Sequence, residues 1–149
     1  AKRNTSLVDF VARLAKLRGE RIELRRDTFL KGSVLASHSR DVLWWHPQGH
    51  EMRESDWHDP YQRSFAIGIG SRDTSSDLLL LLNPTGDPCE FTLPVPTESR
   101  SWQVLIDTSK EEIDQSPALV ELLPMPAAPT LAPRSLMVLT QAAGRQVGA

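Results

Sequence analysis

The chain has 149 residues, enough for one domain or for one domain plus part of another, and 40% of them are hydrophobic, so a core can form. Its formal net charge is −2. No run of about 18 to 20 apolar residues occurs, so we expect no membrane span, and no secretory signal is recognisable. Cys89 is the only cysteine, which excludes an intrachain disulfide and predicts a reducing, cytoplasmic location.

The charge is distributed unevenly along the chain. Residues 1–31 carry nine basic and four acidic side chains, whereas the remainder carries eight basic and fifteen acidic ones. A basic segment can indicate nucleic-acid binding. Here Lys16 and Arg18 alternate with Asp9 and Glu20, which favours a solvated or interface-facing surface. We therefore expect no nucleic-acid partner, and the asymmetry indicates that two unlike pieces are joined.

A helix is predicted over residues 6–19, with the sequence SLVDFVARLAKLRG. Its apolar positions recur at helical spacing and form one stripe: Leu7, Phe10, Val11, Leu14 and Leu17. Ser6 is expected to cap the start of the helix and Gly19 to follow its end. Because an isolated helix of this length is marginal in water, the stripe must be buried against something. With this helix signal so early, we expect the chain to be a piece of a longer polypeptide.

Short strands are predicted after the helix, separated by turns rich in proline and glycine. The predicted strands cover residues 41–46, 50–52, 64–70, 77–83, 90–93, 101–107, 118–123 and 135–140. Such regular short strands are typical of an antiparallel β-sandwich or barrel, so the fold is expected to be mostly β. The stretch DLLLLLN shows no alternation, which predicts a central strand covered on both faces. The proline-rich stretch LPMPAAPTLAP is expected to be a connection or an edge.

The segment from 41 to 60, DVLWWHPQGHEMRESDWHDP, concentrates three tryptophans, three histidines and five carboxylates. A glycoside hydrolase needs two carboxylates about 5 to 9 Å apart, and nothing in the spacing of these acids fixes that distance. His46 and His50 are four residues apart, but Pro47 and Gly49 exclude a helix between them. We therefore predict neither a catalytic pair nor a metal site in this segment.

The tryptophans of this segment favour interface packing over ligand binding, although stacking on a sugar ring remains an alternative. Trp44 and Trp45 are adjacent in a predicted strand, so one should face the core and the other solvent or a second domain. Trp57 lies in a polar loop and is the tryptophan least explained by core packing. Trp102 begins a strand and is expected in the core.

Several stretches, taken in order, resemble the C-terminal part of bacterial glycogen debranching enzymes of the isoamylase type, in the α-amylase superfamily. They are LVDFVARLAKLR, LRRDTFLKG, DVLWWHPQGHEMRESDW, DLLLLLN, FTLP, SWQVLIDT and RSLMVL. The resemblance implies that residues 1–30 are the last helix of a catalytic barrel with its linker. Residues 31–149 would then be a C-terminal β-sandwich, an α-amylase-type domain.

The resemblance also implies a parent α-1,6-glucosidase that acts on glycogen or limit dextrin by retention. Such enzymes use an aspartate nucleophile, a glutamate acid/base and a second aspartate, all on barrel strands. No position of this chain matches those residues, so we assign no catalytic residue and expect the chain alone to be inactive. We expect no cofactor and no metal. The implied partners are the barrel of the same polypeptide and, through the parent enzyme, α-glucan.

Two roles for the 41–60 segment follow. In the first, the segment is the seam between the β-domain and the barrel, and the contact residues are Trp45, Glu51, Asp56, Trp57 and Arg63. Pro47 and Gly49 would make its turn, and Glu51, Asp56 and Arg63 would bond across it. In the second, the chain is an α-glucan-binding module that uses Trp45 or Trp57. A free-standing adaptor unrelated to glycans would require the series of motifs to be coincidental. The excised chain could also dimerise through its exposed helix stripe.

Overall fold

The computed structural model describes residues 2–35, 40–70, 77–96, 100–110 and 128–143. These ranges contain two α-helices, one 3-10 turn and seven strands. In chain order the elements are α1 (Lys2–Glu20), the 3-10 turn (Ile22–Leu24), β1 (Leu43–Trp45), α2 (Glu54–His58), β2 (Phe65–Ile69), β3 (Leu78–Asn83), β4 (Cys89–Glu90), β5 (Arg100–Asp107), β6 (Thr130–Leu131) and β7 (Ser135–Ala143). The predicted mostly β fold is confirmed.

Five strands form one antiparallel sheet in the order β1-β2-β3-β7-β5, and β4 pairs with β6 in a second, smaller sheet. The register sets Trp45 opposite Ala66 and Leu81 opposite Met137. Leu131 of the small sheet belongs to the same core cluster as Leu81 of the large one. The small sheet therefore covers one face of the large sheet, as expected for a sandwich-type domain.

Two clusters of apolar side chains lie on opposite faces of the large sheet. The first lies under the small sheet and is formed by Ala66, Leu79, Leu81, Phe91, Leu93, Trp102, Leu131, Met137 and Leu139. The second lies under α1 and its buried members are Ile69, Leu78, Ile106 and Val138. Because β3 contributes to both clusters, its residues from Leu78 to Leu82 are all apolar. The prediction of a central strand covered on both faces is confirmed, as is the burial of Trp102.

Helix α1 begins one turn earlier than predicted and ends at Glu20. Ser6 therefore lies inside the helix and cannot cap it, and Gly19 lies within the last turn, so both of these predictions are wrong. Phe10 and Leu17 pack against the second cluster, and the guanidinium of Arg13 donates to the Leu105 carbonyl oxygen at 2.9 Å. No helix of the described ranges has the length and apolar character needed to cross a membrane.

Most of the predicted strands are present with shifted ends. Residues 50–52 form only an isolated bridge, in which Glu51 pairs with Trp45. The strand predicted at 90–93 is shorter and begins earlier, at Cys89. The strand predicted at 118–123 lies outside the described residues. The proline-rich stretch does supply an edge strand, β6, as expected for a segment that cannot enter the centre of a sheet.

A buried asparagine closes the turn that follows β3. The Asn83 side-chain oxygen accepts from the Ser64 hydroxyl at 3.0 Å and from the Thr85 hydroxyl at 2.7 Å. Its amide nitrogen donates to the carbonyl oxygens of Asp87 at 2.8 Å and Ala132 at 3.0 Å. One side chain of β3 thus satisfies polar groups from the residue before β2, from the turn after β3 and from the segment that leads into β7.

A buried aspartate fixes the segment that leads from α1 to β1. Asp41 is only 4% exposed, and its Oδ2 accepts from the Lys31 N–H at 3.0 Å. Burial alone would raise the pKa of Asp41, but the backbone N–H groups of Lys31, Gly32, Ser33 and Val42 outweigh that effect and lower it. The carboxylate is therefore stabilised in its charged form in the folded protein.

We predict that Asp41→Asn destabilises the protein by about 2 kcal/mol at neutral pH, because charge-assisted bonds to backbone N–H groups are lost. The folded-state pKa lies below the unfolded one, so this contribution is present above the unfolded pKa and disappears as the pH falls through the folded pKa. Thermal unfolding from neutral pH to about pH 3 measures it. The difference in Tm between the unsubstituted protein and Asp41→Asn should disappear on acidification. The control Asp27→Asn, at an exposed position, should show no difference in Tm from the unsubstituted protein. A gap that does not change with pH would contradict this account.

Candidate functional site at the tryptophan and histidine hairpin

The segment after β1 forms a tight hairpin whose turn is held by backbone hydrogen bonds. The His46 N–H donates to the His50 carbonyl oxygen at 2.8 Å, and the Gly49 N–H donates to the His46 carbonyl oxygen at 2.9 Å. Gly49 has a φ of 85°, in the left-handed region that glycine adopts readily. The predicted turn at Pro47 and Gly49 is confirmed.

This hairpin is anchored on the strand segment that follows β4. The Thr92 N–H donates to the Pro47 carbonyl oxygen at 2.7 Å. A Cβ atom placed on Gly49 would lie 3.0 Å from the Thr92 methyl carbon and 3.1 Å from the Thr92 carbonyl oxygen. Glycine is therefore required at position 49 for its backbone conformation and for the close approach of Thr92.

Helix α2 carries the second half of the site. The Arg53 N–H donates to Asp56 Oδ2 at 2.8 Å, which caps the first turn. This bond lowers the pKa of Asp56 against a smaller opposing effect of burial, and the neighbouring His50 lowers it further. A glycosidase general acid needs a raised pKa, so Asp56 is tuned in the opposite direction. Glu51 is 3.2 Å from Arg40 in an exposed ion pair.

The two adjacent tryptophans of β1 face opposite sides of the sheet, as predicted. Trp45 packs against the first cluster. Trp44 faces the α1 side and forms an aromatic triad with Trp57 and Phe65. The ring centroids lie 5.5 Å apart for Trp44 and Trp57, 5.7 Å for Trp44 and Phe65, and 6.2 Å for Trp57 and Phe65. Trp57 is 50% exposed and Trp44 is 39% exposed, so the triad presents apolar surface to the outside.

The hairpin brings two histidines into contact. The rings of His46 and His50 stack with centroids 4.5 Å apart and planes 15° apart, and His50 Nε2 lies 3.2 Å from Asp56 Oδ2. Sequence reasoning dismissed the four-residue spacing because no helix was possible. A tight turn, however, places the residues on either side of it opposite one another, and the proline–glycine pair was the signal for it.

The predicted contact residues do not form a single patch. Trp57 and Asp56 lie together on α2, and Asp56 bonds to His50, which lies on the same side of the turn. Trp45 packs against the first cluster, and Glu51 bonds across the turn to Arg40, as predicted. Arg63 is exposed and has no hydrogen bond or ion pair to another described residue. Trp44 and Phe65 were not among the predicted contact residues, although the alternation along β1 and β2 places both on the α1 side of the sheet.

The domain is mostly β, it exposes an aromatic triad, and the hairpin acids Glu51 and Asp56 are bonded to neighbouring side chains. The chain belongs to the isoamylase C-terminal domain family, whose model matches residues 41–140. It is 27% identical over 152 residues to the glycogen operon protein GlgX homologs of Mycobacterium bovis and Mycobacterium tuberculosis. That match covers 92% of this chain and 20% of each relative, so the chain spans about a fifth of their length. The predicted family resemblance is confirmed.

We predict that Gly49→Ala is more destabilising than Gly32→Ala, although both glycines have a positive φ. Alanine in the left-handed region costs about 1 kcal/mol or more at either position. Only position 49 adds a clash, because nothing lies within 4 Å of a Cβ at position 32. Denaturant unfolding of the two variants should give a loss about 1 kcal/mol larger at position 49. Equal losses would show that the hairpin is not held against Thr92.

Proposed function

We propose that the chain is the C-terminal accessory domain of a glycogen-debranching α-1,6-glucosidase. In this proposal, the α1 side of its sheet packs against the catalytic barrel of the same polypeptide. Residues 1–30 are the last barrel helix and its linker, and residues 31–149 are the β-domain. The barrel supplies all catalytic carboxylates and binds the branched glucan, whereas this chain stabilises the barrel and is inactive alone. The observation that carries the proposal is the divided apolar surface of α1.

The apolar residues of α1 point in two directions. Phe10 and Leu17 contact the sheet, but two others are largely exposed and form what we call the outer stripe: Leu7 and Val11. At about 100° per residue, Leu7 and Val11 lie about a quarter turn away from Phe10 and Leu17. A surface helix normally needs one apolar stripe, so the second one indicates a second partner. A barrel helix that also supports the β-domain would have this pattern.

The sheet beneath α1 is also incompletely covered. A cleft of about 330 Å³ lies between α1 and the sheet, and it is lined almost entirely by apolar side chains, among them Phe10, Leu14, Leu78 and Leu80. The aromatic triad lies on the same face, because the register sets Trp44 opposite Ile67 and Phe65 opposite Leu82. Exposed apolar area of this kind is a feature of interaction surfaces. It supports docking of a large body on this face.

An α-glucan-binding role is the second candidate, and the exposure of Trp57 and Tyr61 favours it. Tyr61 is 90% exposed, and aromatic rings next to polar groups can stack on sugars. The edge-on contact of Trp44 with Trp57, at 76° between ring planes, gives no flat shared platform. A saturable change in tryptophan fluorescence with maltoheptaose, abolished by Trp57→Ala, would favour this second role.

Two neighbouring substitutions test the docking role. Val11 lies on the outer stripe, whereas the adjacent Ala12 is exposed on the polar side of α1. In the 149-residue chain, Val11→Asp and Ala12→Asp should each change stability by no more than about 0.5 kcal/mol. In the longer polypeptide, Val11→Asp should cost about 2 kcal/mol or more, because it buries an unpaired charge at the interface. Ala12→Asp should remain neutral there.

Calorimetric unfolding of the four variants and of the two unsubstituted proteins measures these effects. Debranching activity of the longer polypeptide at elevated temperature reports whether its barrel remains folded. If the two substitutions have equal effects in the longer polypeptide, α1 is not an interface helix and the proposal fails. If Val11→Asp unfolds the short chain and Ala12→Asp does not, the outer stripe is part of this domain's own core, which also contradicts the proposal.

A further inference from the structure

Three side chains of the types that bind metal ions lie together at the hairpin, apart from the proposed docking face. His46 and His50 come from the two ends of the turn, and Asp56 comes from α2. One ligand atom of each lies within 4.8 Å of the other two, and all three residues are half-buried. Two imidazoles and one carboxylate are a donor set that suits a zinc ion, with water as the fourth ligand.

The backbone positions of the three residues are fixed independently of any metal. The backbone hydrogen bond from His46 to His50 fixes the positions of the two histidines. The hydrogen bond from the Arg53 N–H to Asp56 Oδ2 fixes the position of the third residue at the start of α2. The three ligand atoms can therefore converge on an ion by side-chain rotation alone. Because the backbone is already ordered, the entropy cost of forming the site is small.

The existing distances are close to those of a tetrahedral site. Two ligands on one zinc ion lie about 3.4 Å apart, given metal–ligand bonds of about 2.0 to 2.1 Å. His50 Nε2 and Asp56 Oδ2 are already 3.2 Å apart. His50 Nε2 binds the ion after its proton has moved to Nδ1 of the same ring through solvent. His46 then has to turn one nitrogen toward the ion.

We propose that His46, His50 and Asp56 form a zinc-binding site that joins the hairpin turn to α2. In the structure, the Gln48 N–H donates to His46 Nδ1 at 3.1 Å. Ligation through Nδ1 replaces this bond, and ligation through Nε2 leaves a proton on Nδ1, so either route removes the Gln48 contact. The Gln48 amide therefore reports on occupancy. A bound ion would also restrain α2 and the Trp57 ring that it carries.

The test is titration of the 149-residue chain with zinc chloride at neutral pH, followed by calorimetry and by NMR of the imidazole and amide resonances. We expect one equivalent to bind with micromolar affinity, and the His46, His50 and Gln48 signals to shift together. His46→Gln and His50→Gln should each weaken binding by more than about tenfold. The matched control is His58→Gln, because His58 bonds to the Glu54 carbonyl oxygen within α2 and lies outside the group.

Two results would overturn the proposal. The first is the absence of saturation up to about 1 mM zinc in the unsubstituted chain. The second is binding that shifts other resonances, or that Cys89→Ser abolishes and His50→Gln leaves intact. The NMR assignment uses the unsubstituted protein, so the result does not depend on whether the glutamine variants fold. Zinc should also raise Tm in the unsubstituted chain and in His58→Gln, but not in His50→Gln.

Discussion

The structure depends on the need of strand β3 for apolar cover on both of its faces. β3 is the third of five strands, and Leu78, Leu79 and Leu81 are almost completely buried. A strand of this composition is stable only between two layers, because either exposed face would present a row of leucines to water. The rest of the chain can be understood as the means by which each face is covered.

The two faces are covered to different extents. Phe91, Leu93 and Leu131 close one face, and the Trp102 side chain completes it by donating its ring N–H to the Pro94 carbonyl oxygen at 2.9 Å. Within the described ranges, α1 and the 3-10 turn cover the other face, above an open apolar cleft. The hairpin links the two sides, since Trp45 packs into the closed face while Trp44 joins the aromatic triad on the open one. The open face is therefore where we propose that the barrel packs.

Local patterns in the sequence predicted much of the fold. The helical spacing of apolar residues indicated α1, and the uninterrupted leucines indicated the central position of β3. Alternation separated Trp44 from Trp45. The helix cap at Ser6 was wrong because a cap depends on where the chain enters the helix, and the pattern continued upstream of it. The division of the α1 stripe was not visible, because it depends on how the helix lies against Leu78 and Val138.

The candidate site was predicted less well because it is built from contacts across a turn. Glu51 and Asp56 were expected to bond across the turn, but only Glu51 does so, to Arg40. Asp56 bonds instead to His50, a histidine that sequence reasoning had set aside. The stacking of His46 on His50 depends on the positive φ of Gly49 and on the packing of the turn against Thr92. Periodicity in the sequence does not report such geometry.

Hydroxyl-radical footprinting of the 149-residue chain and of the longer polypeptide tests the central claim most directly. Leu7 and Val11 of the outer stripe should be oxidised several-fold more slowly in the longer polypeptide, because the barrel covers them. Val95 is 82% exposed and lies next to the segment that closes the other face, so its oxidation should be the same in both proteins. Equal oxidation of Leu7 and Val11 in the two proteins would contradict the claim that this face docks on the barrel.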